Sequence, residues 1–118
     1  MSEEACLDPL ALDKLDKLGG AVFVLEMIDL FFDYAPTRLA AAEEALQAGN
    51  LAGVEHAVHP LKTSSGHIGA CRVHRLAMQI EELTRARQGE TIPALLAELE
   101  AAYLEAKPLL QAARAARA

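Results

Sequence analysis

Tryptophan is absent from this 118-residue chain, and three phenylalanines and two tyrosines are its whole aromatic complement. A core so poor in rings has to be filled by aliphatic side chains. Here the aliphatic mass is mostly alanine and leucine, both strong helix formers. No apolar run approaches ~20 residues, which excludes a membrane-spanning helix. The opening Met-Ser-Glu-Glu carries the wrong charge for a signal peptide, so the chain is expected to be soluble and cytoplasmic. Basic residues are in deficit, 11 against 17 acidic, and the net charge of −6 disfavours nucleic acid or an anionic membrane as partner. Cysteine is scarce: Cys6 and Cys71 have neither metal nor redox spacing and read as free, reduced thiols. What is present in quantity is 53% hydrophobic and 24% charged residues, the balance of a globular chain of one domain, 1–118.

Strand-period alternation and internal repeats are missing too. Glycine and proline divide the sequence into helices joined by short connections. Asp8-Pro9 reads as a cap and first turn of a short helix that stops at Gly19-Gly20. A second covers about Ala21–Tyr34, with Val22, Leu25, Ile28 and Phe32 on one stripe and Glu26, Asp29 and Asp33 on another. Pro36 opens a third, with Leu39, Ala42 and Leu46 inward, closed by Gly49. Asn50 caps a long fourth segment reaching Ile68-Gly69, and a fifth runs from about Cys71 to Gln88. The last starts near Pro93, carries Leu95, Leu96, Leu99, Tyr103 and Leu104, and is interrupted or bent at Pro108. From about 108 an Ala-rich basic tail with Arg114 and Arg117 is expected to fray. The fold expected is all-α: an up-and-down four-helix bundle with short additional N-terminal helices.

One segment carries chemistry. On a helix of ~100° per residue with His59 at zero, Val54, Val58, Leu61, Ser65 and Ile68 cluster at roughly 180–260° and form the buried stripe. Glu55, His56, Lys62, Thr63 and Gly66 fall on the opposite face, within about 60° of His59. His59 then points to solvent from a firmly anchored helix. A neutral exposed imidazole has a ring nitrogen free to attack a phosphoryl group. An ammonium at i+3 can offset charge on the phosphoryl oxygens, and small residues at i+4 and i+7 leave room for a second protein. A surface histidine beside a solvated lysine would present the same geometry. Phe31, Phe32 and Tyr34 read as core. Leu7, Leu10 and Leu15 are candidates for an apolar docking patch beside His59.

The run His59-Pro-Leu61-Lys62-Thr-Ser64-Ser65-Gly-His-Ile-Gly69-Ala70 closely resembles the motif of the histidine-containing phosphotransfer (HPt) domain, His-x-Leu-Lys-Gly-Ser-Ser followed by Gly-Ala. Leu30-Phe31, Leu76 with Ile80-Glu81, and Leu99-Glu100 with Tyr103 extend the likeness more loosely along the chain. The resemblance implies that His59 is the phosphorylated histidine and that Lys62 steadies the phosphoryl group. Ser64 and Ser65 would be small packing positions, and Gly69 would ease the turn into the next helix. Glu81 and Arg85 would be polar groups near the histidine, joining Thr63, Gly66, Glu55 and His56 on the surface that faces a receiver domain. The function implied is a monomeric phosphocarrier of a two-component phosphorelay, moving a phosphoryl group between receiver-domain aspartates or from a hybrid sensor histidine kinase. It implies no cofactor and no ATP site, so a carrier rather than an enzyme. The alternative from another class is a non-catalytic helical adaptor that binds a receiver or kinase domain.

Two residues depart from the family pattern. Thr63 stands where the family usually has glycine, which narrows access beside His59. Pro60 removes a backbone donor and frees the His56 carbonyl, so the helix either bends at the site or begins there. His56 and His59 at i, i+3 are two metal ligands at most. His67 lies too far along to complete a set and His74 is on the next helix, so no metal is expected.

Overall fold

The computed structural model describes residues 7–118, and these form four helices with no strand among them. They are α1 (Pro9–Gln47), α2 (Leu51–Ile68), α3 (Cys71–Arg85) and α4 (Ile92–Arg117). Each packs on the next, and α4 returns against α1, which is the ring of contacts of an up-and-down bundle. Asp8 caps α1 by accepting from the Leu10 amide at 3.0 Å, and Asn50 caps α2 by accepting from Gly53 at 2.9 Å.

The N-terminal part differs from the sequence reading. Instead of a second and a third helix parted near Pro36, one rod runs on to Gln47 with Pro36 inside it. The only break in α1 is at Gly20 (φ 78°, ψ −175°), which sets one short piece, residues 9–19, at an angle to the rod. Proline inside a helix costs about 3 kcal/mol, but Ala35 and Leu39 on either side are buried against the bundle and hold the rod together. Continuity also moves the buried stripe. Aligned with Leu39 and Ala42, the inward residues are Val24, Ile28, Phe31 and Ala35, and Val22 turns out to solvent.

The core is aliphatic, with one edge-to-face pair, Phe31 and Tyr103, whose centroids lie 5.6 Å apart. At the other end α4 does not fray at Pro108. It continues to Arg117, buries Leu110 and forks Arg114 onto Asp29 of α1 at 2.7 and 2.9 Å. Leu104, by contrast, faces solvent. Cys71 is disulfide-bonded, which corrects the reading of a free thiol there, and Cys6 lies outside the described residues. No helix among the described residues is long and apolar enough to cross a membrane.

Candidate functional site

The stripe Val54, Val58, Leu61, Ser65 and Ile68 is buried throughout, and that fixes the rotation of α2 about its axis. His59 projects from the opposite side with its side chain 54% exposed. The helix passes through Pro60 rather than starting there. The His56 carbonyl that Pro60 strips of its donor accepts instead from Arg38 Nη2 of α1 at 3.2 Å, and Arg38 Nε reaches the Ala57 carbonyl at 3.3 Å. The Tyr34 hydroxyl, one turn earlier on α1, donates to the Pro60 carbonyl at 3.3 Å. Tyr34 is thus half-buried with a polar task, not simply core.

Glu81 of α3 closes the site from the other flank. Its carboxylate is only 2% exposed, so it is not part of the receiver-facing surface expected of it. It lies 2.5 Å from His59 Nδ1, 2.6 Å from Lys62 Nζ and 2.9 Å from Arg85 Nη2. Burial pushes this carboxyl up, but hydrogen bonds from Lys62 and His59, with the charges of Lys62 and Arg85, outweigh it and leave the group below its ordinary value. A carboxylate that stays ionised accepts from Nδ1–H. In the neutral ring the proton therefore sits on Nδ1, and Nε2 carries the lone pair. Lys62 is half-buried rather than open, because it leans onto Glu81. Arg85 spans Glu81 and, at 2.8 Å, Glu55, which tethers the exposed Arg85 above the buried acid.

Thr63, Gly66 and His56 are exposed as expected. The Thr63 hydroxyl turns back towards the His59 carbonyl at 3.5 Å. Gly66 abuts His74, whose Nδ1 lies 2.8 Å from the Lys62 carbonyl; an added Cβ would sit 3.1 Å from that nitrogen. Ser65 is buried and Ser64 half-buried, each bonding back to the turn before it. No group of three metal-ligating side chains occurs among the described residues.

His59 stands on a ridge between two hollows. One of about 400 Å³ is lined in part by the charged side chains of Glu55, Glu81 and Arg85, and a more apolar one of about 370 Å³ lies towards Met27, Leu30 and Tyr34. A larger cleft of about 520 Å³ shares Glu55 and Arg85 but runs to Gly49 and Arg87, away from His59. The apolar border of the site is therefore made by Met27 and Leu30. Of the N-terminal leucines put forward for that part, Leu15 is buried, Leu7 is half-buried and bridges to Ala70, and Leu10 is exposed. Arg38 and Tyr34 gave no signal in the sequence, since their partners are carbonyls. Pro60 was the only clue that a carbonyl there needed a donor.

A family model for the Hpt domain matches residues 26–116. Histidine-containing phosphotransfer protein 2 of Arabidopsis thaliana is 31% identical over 103 residues, an alignment covering 85% of this chain and 66% of that protein's length. The crystal structure of histidine-containing phosphotransfer protein B from Pseudomonas aeruginosa PAO1 is similar with a TM-score of 0.85 and 26% identity, covering 92% of this chain and 93% of that one.

Proposed function

The chain belongs to the Hpt domain family, whose members are phosphocarriers, and we propose that its carrier residue is His59. The observation that supports this is the buried Glu81 carboxylate 2.5 Å from His59 Nδ1, which holds the proton inward and leaves Nε2 as an outward nucleophile. In the forward step the Nε2 lone pair attacks the phosphorus of a receiver's aspartyl phosphate. The N–P bond forms as the P–O bond to the aspartate breaks, and that carboxylate leaves with the bonding pair. Nδ1 keeps its proton, so the phosphorylated ring is cationic, and Glu81 sits where that charge develops. Lys62, anchored on the other oxygen of Glu81, brings its ammonium to the same spot for the phosphoryl oxygens. Return to a second receiver is the same step reversed.

The partners proposed are a response-regulator receiver domain and a hybrid sensor histidine kinase, met by a monomer in the cytoplasm. The surface proposed for them includes Thr63, Gly66, Glu55, His56 and Arg85, with the hollows on either side of His59. Incubation with a phosphorylated receiver domain tests this directly. Wild type should acquire acid-labile, base-stable label, and His59→Gln should fold and acquire none. Label retained in that variant, or mapped to His56, His67 or His74, would refute the assignment. A wild type that binds the receiver but never labels would favour the adaptor.

A further inference from the structure

The phosphotransfer reading uses α2 and α3 for the chemistry and α1 only as the apolar border of the site, and it leaves Arg38 without a part. We propose that Arg38 of α1, assisted by Tyr34, is a positioning residue for His59, standing in for the helix hydrogen bond that Pro60 abolishes. The inference takes His59 as the reacting group and concerns what holds it still.

Residue 60 has no N–H, and its ring pushes the His56 carbonyl away from the helix axis. A turn with a missing bond is the natural hinge of α2, and His59 projects from that turn. Arg38 spans it: Nη2 donates to the His56 carbonyl at 3.2 Å and Nε to the Ala57 carbonyl at 3.3 Å. Tyr34, four residues before Arg38 and so on the same face of α1, donates to the Pro60 carbonyl at 3.3 Å. The two side chains thus grip both sides of the proline. A planar fork with a fixed charge serves two carbonyls at once, which a lysine ammonium cannot do with the same geometry. The imidazole itself is held on the opposite flank, by Glu81 of α3 at 2.5 Å. One neighbouring helix therefore fixes the backbone of the turn and the other fixes the ring. If the turn hinges, the Nδ1–Glu81 bond is the first contact to suffer, and with it the tautomer that exposes Nε2.

The device predicts a specific coupling. Replacing Pro60 restores the N–H, so the helix closes its own bond and Arg38 becomes redundant. Arg38→Met, Pro60→Ala and the double variant should be compared in two readouts, with melting curves to confirm folding. The first is the ¹⁵N chemical shifts of the His59 ring in the unphosphorylated protein, which report the tautomer; the second is the transfer rate from a phosphorylated receiver. In Arg38→Met the His59 signals should move from the Nδ1–H tautomer towards a mixture, and transfer should slow about tenfold. In the Pro60→Ala background the same change should leave tautomer and rate within about twofold. If Arg38→Met unfolds, Arg38→Lys is read in its place, with a smaller loss and the same dependence on residue 60. An unchanged tautomer and rate in Arg38→Met, or an equal loss in both backgrounds, would overturn the proposal and reduce Arg38 to a clamp between helices. Should wild type carry no phosphate on His59, the tautomer measurement still decides the matter alone, so that outcome would refute the carrier and not the brace.

Discussion

Glu81 is a carboxylate with almost no contact with water, and three donors on two helices account for its burial. Because its folded-state value is depressed, its ionisation contributes stability that is present above the ordinary glutamate value of about 4.3 and lost as pH falls through the folded value. The melting temperature of wild type should therefore exceed that of Glu81→Gln at neutral pH, and the gap should shrink in acid below that range. A gap constant with pH would mean that Glu81 binds its proton equally well in the folded and unfolded chains, and a gap that moves in wild type's favour in acid would mean that the carboxyl is neutral in the fold. Lys62→Ala tests the other half of the pair. It removes an ammonium 2.6 Å from Glu81 and should slow phosphotransfer, most visibly at low salt where screening is weakest, while the Glu81 bond to His59 persists. At this scale the sequence was informative where placement follows from spacing along one helix, as with the outward face of His59. For Glu81 it was right about the neighbourhood of His59 and wrong about exposure, because burial depends on how α3 rotates against α2.

At the scale of elements, the two ends and the buried face of α2 were legible, with Asn50 as cap, the stripe from Val54 to Ile68 and Gly69 as stop, but its continuity through Pro60 was not. One helix with one buried face states its own boundaries and orientation. The rod of α1 was not legible, since a proline or a glycine pair usually ends a helix, and packing against neighbours decides when it does not. Gly69 shows the difference between a local and a tertiary demand on one residue. It is left-handed (φ 81°), and a Cβ there would lie 2.6 Å from the Asp8 carbonyl oxygen, where the chain entering α1 crosses. The Asp8 amide also donates to the Gly69 carbonyl at 2.8 Å, so neither side can easily withdraw. Gly49 is left-handed too (φ 70°) but has open space around it. Each change to alanine should cost about 1–3 kcal/mol in strain, and Gly69→Ala should cost more than Gly49→Ala by the clash. Urea unfolding of the two variants measures that difference, and equal losses would show that Asp8 yields freely.

Over the whole molecule, part of the stability is carried by contacts far from the site. The helix of His59 packs on α1 and α3, whereas α4 closes the bundle against α3 and α1 from the far side. The end of α4, which composition alone suggested would fray, is part of that closure: Leu110 is fully buried and Arg114 holds Asp29. Leu110→Ala should then cost about 2–5 kcal/mol, as a buried leucine does, while Leu104→Ala, at a site 65% exposed on the same helix, should stay within about 0.5 kcal/mol. Because the hydrogen bonds and ion pairs of His59, Glu81 and Lys62 run to α2 and α3 and not to α4, the transfer rate of Leu110→Ala, measured well below its lowered melting point, should equal that of wild type. Leu61→Ala is the counterpart, since it empties a buried position on α2 two residues from His59 and should lower stability and rate together. A Leu110→Ala protein that stays folded yet transfers slowly would mean that the far side of the bundle bears on the histidine. The separation of scaffold from site would then fail.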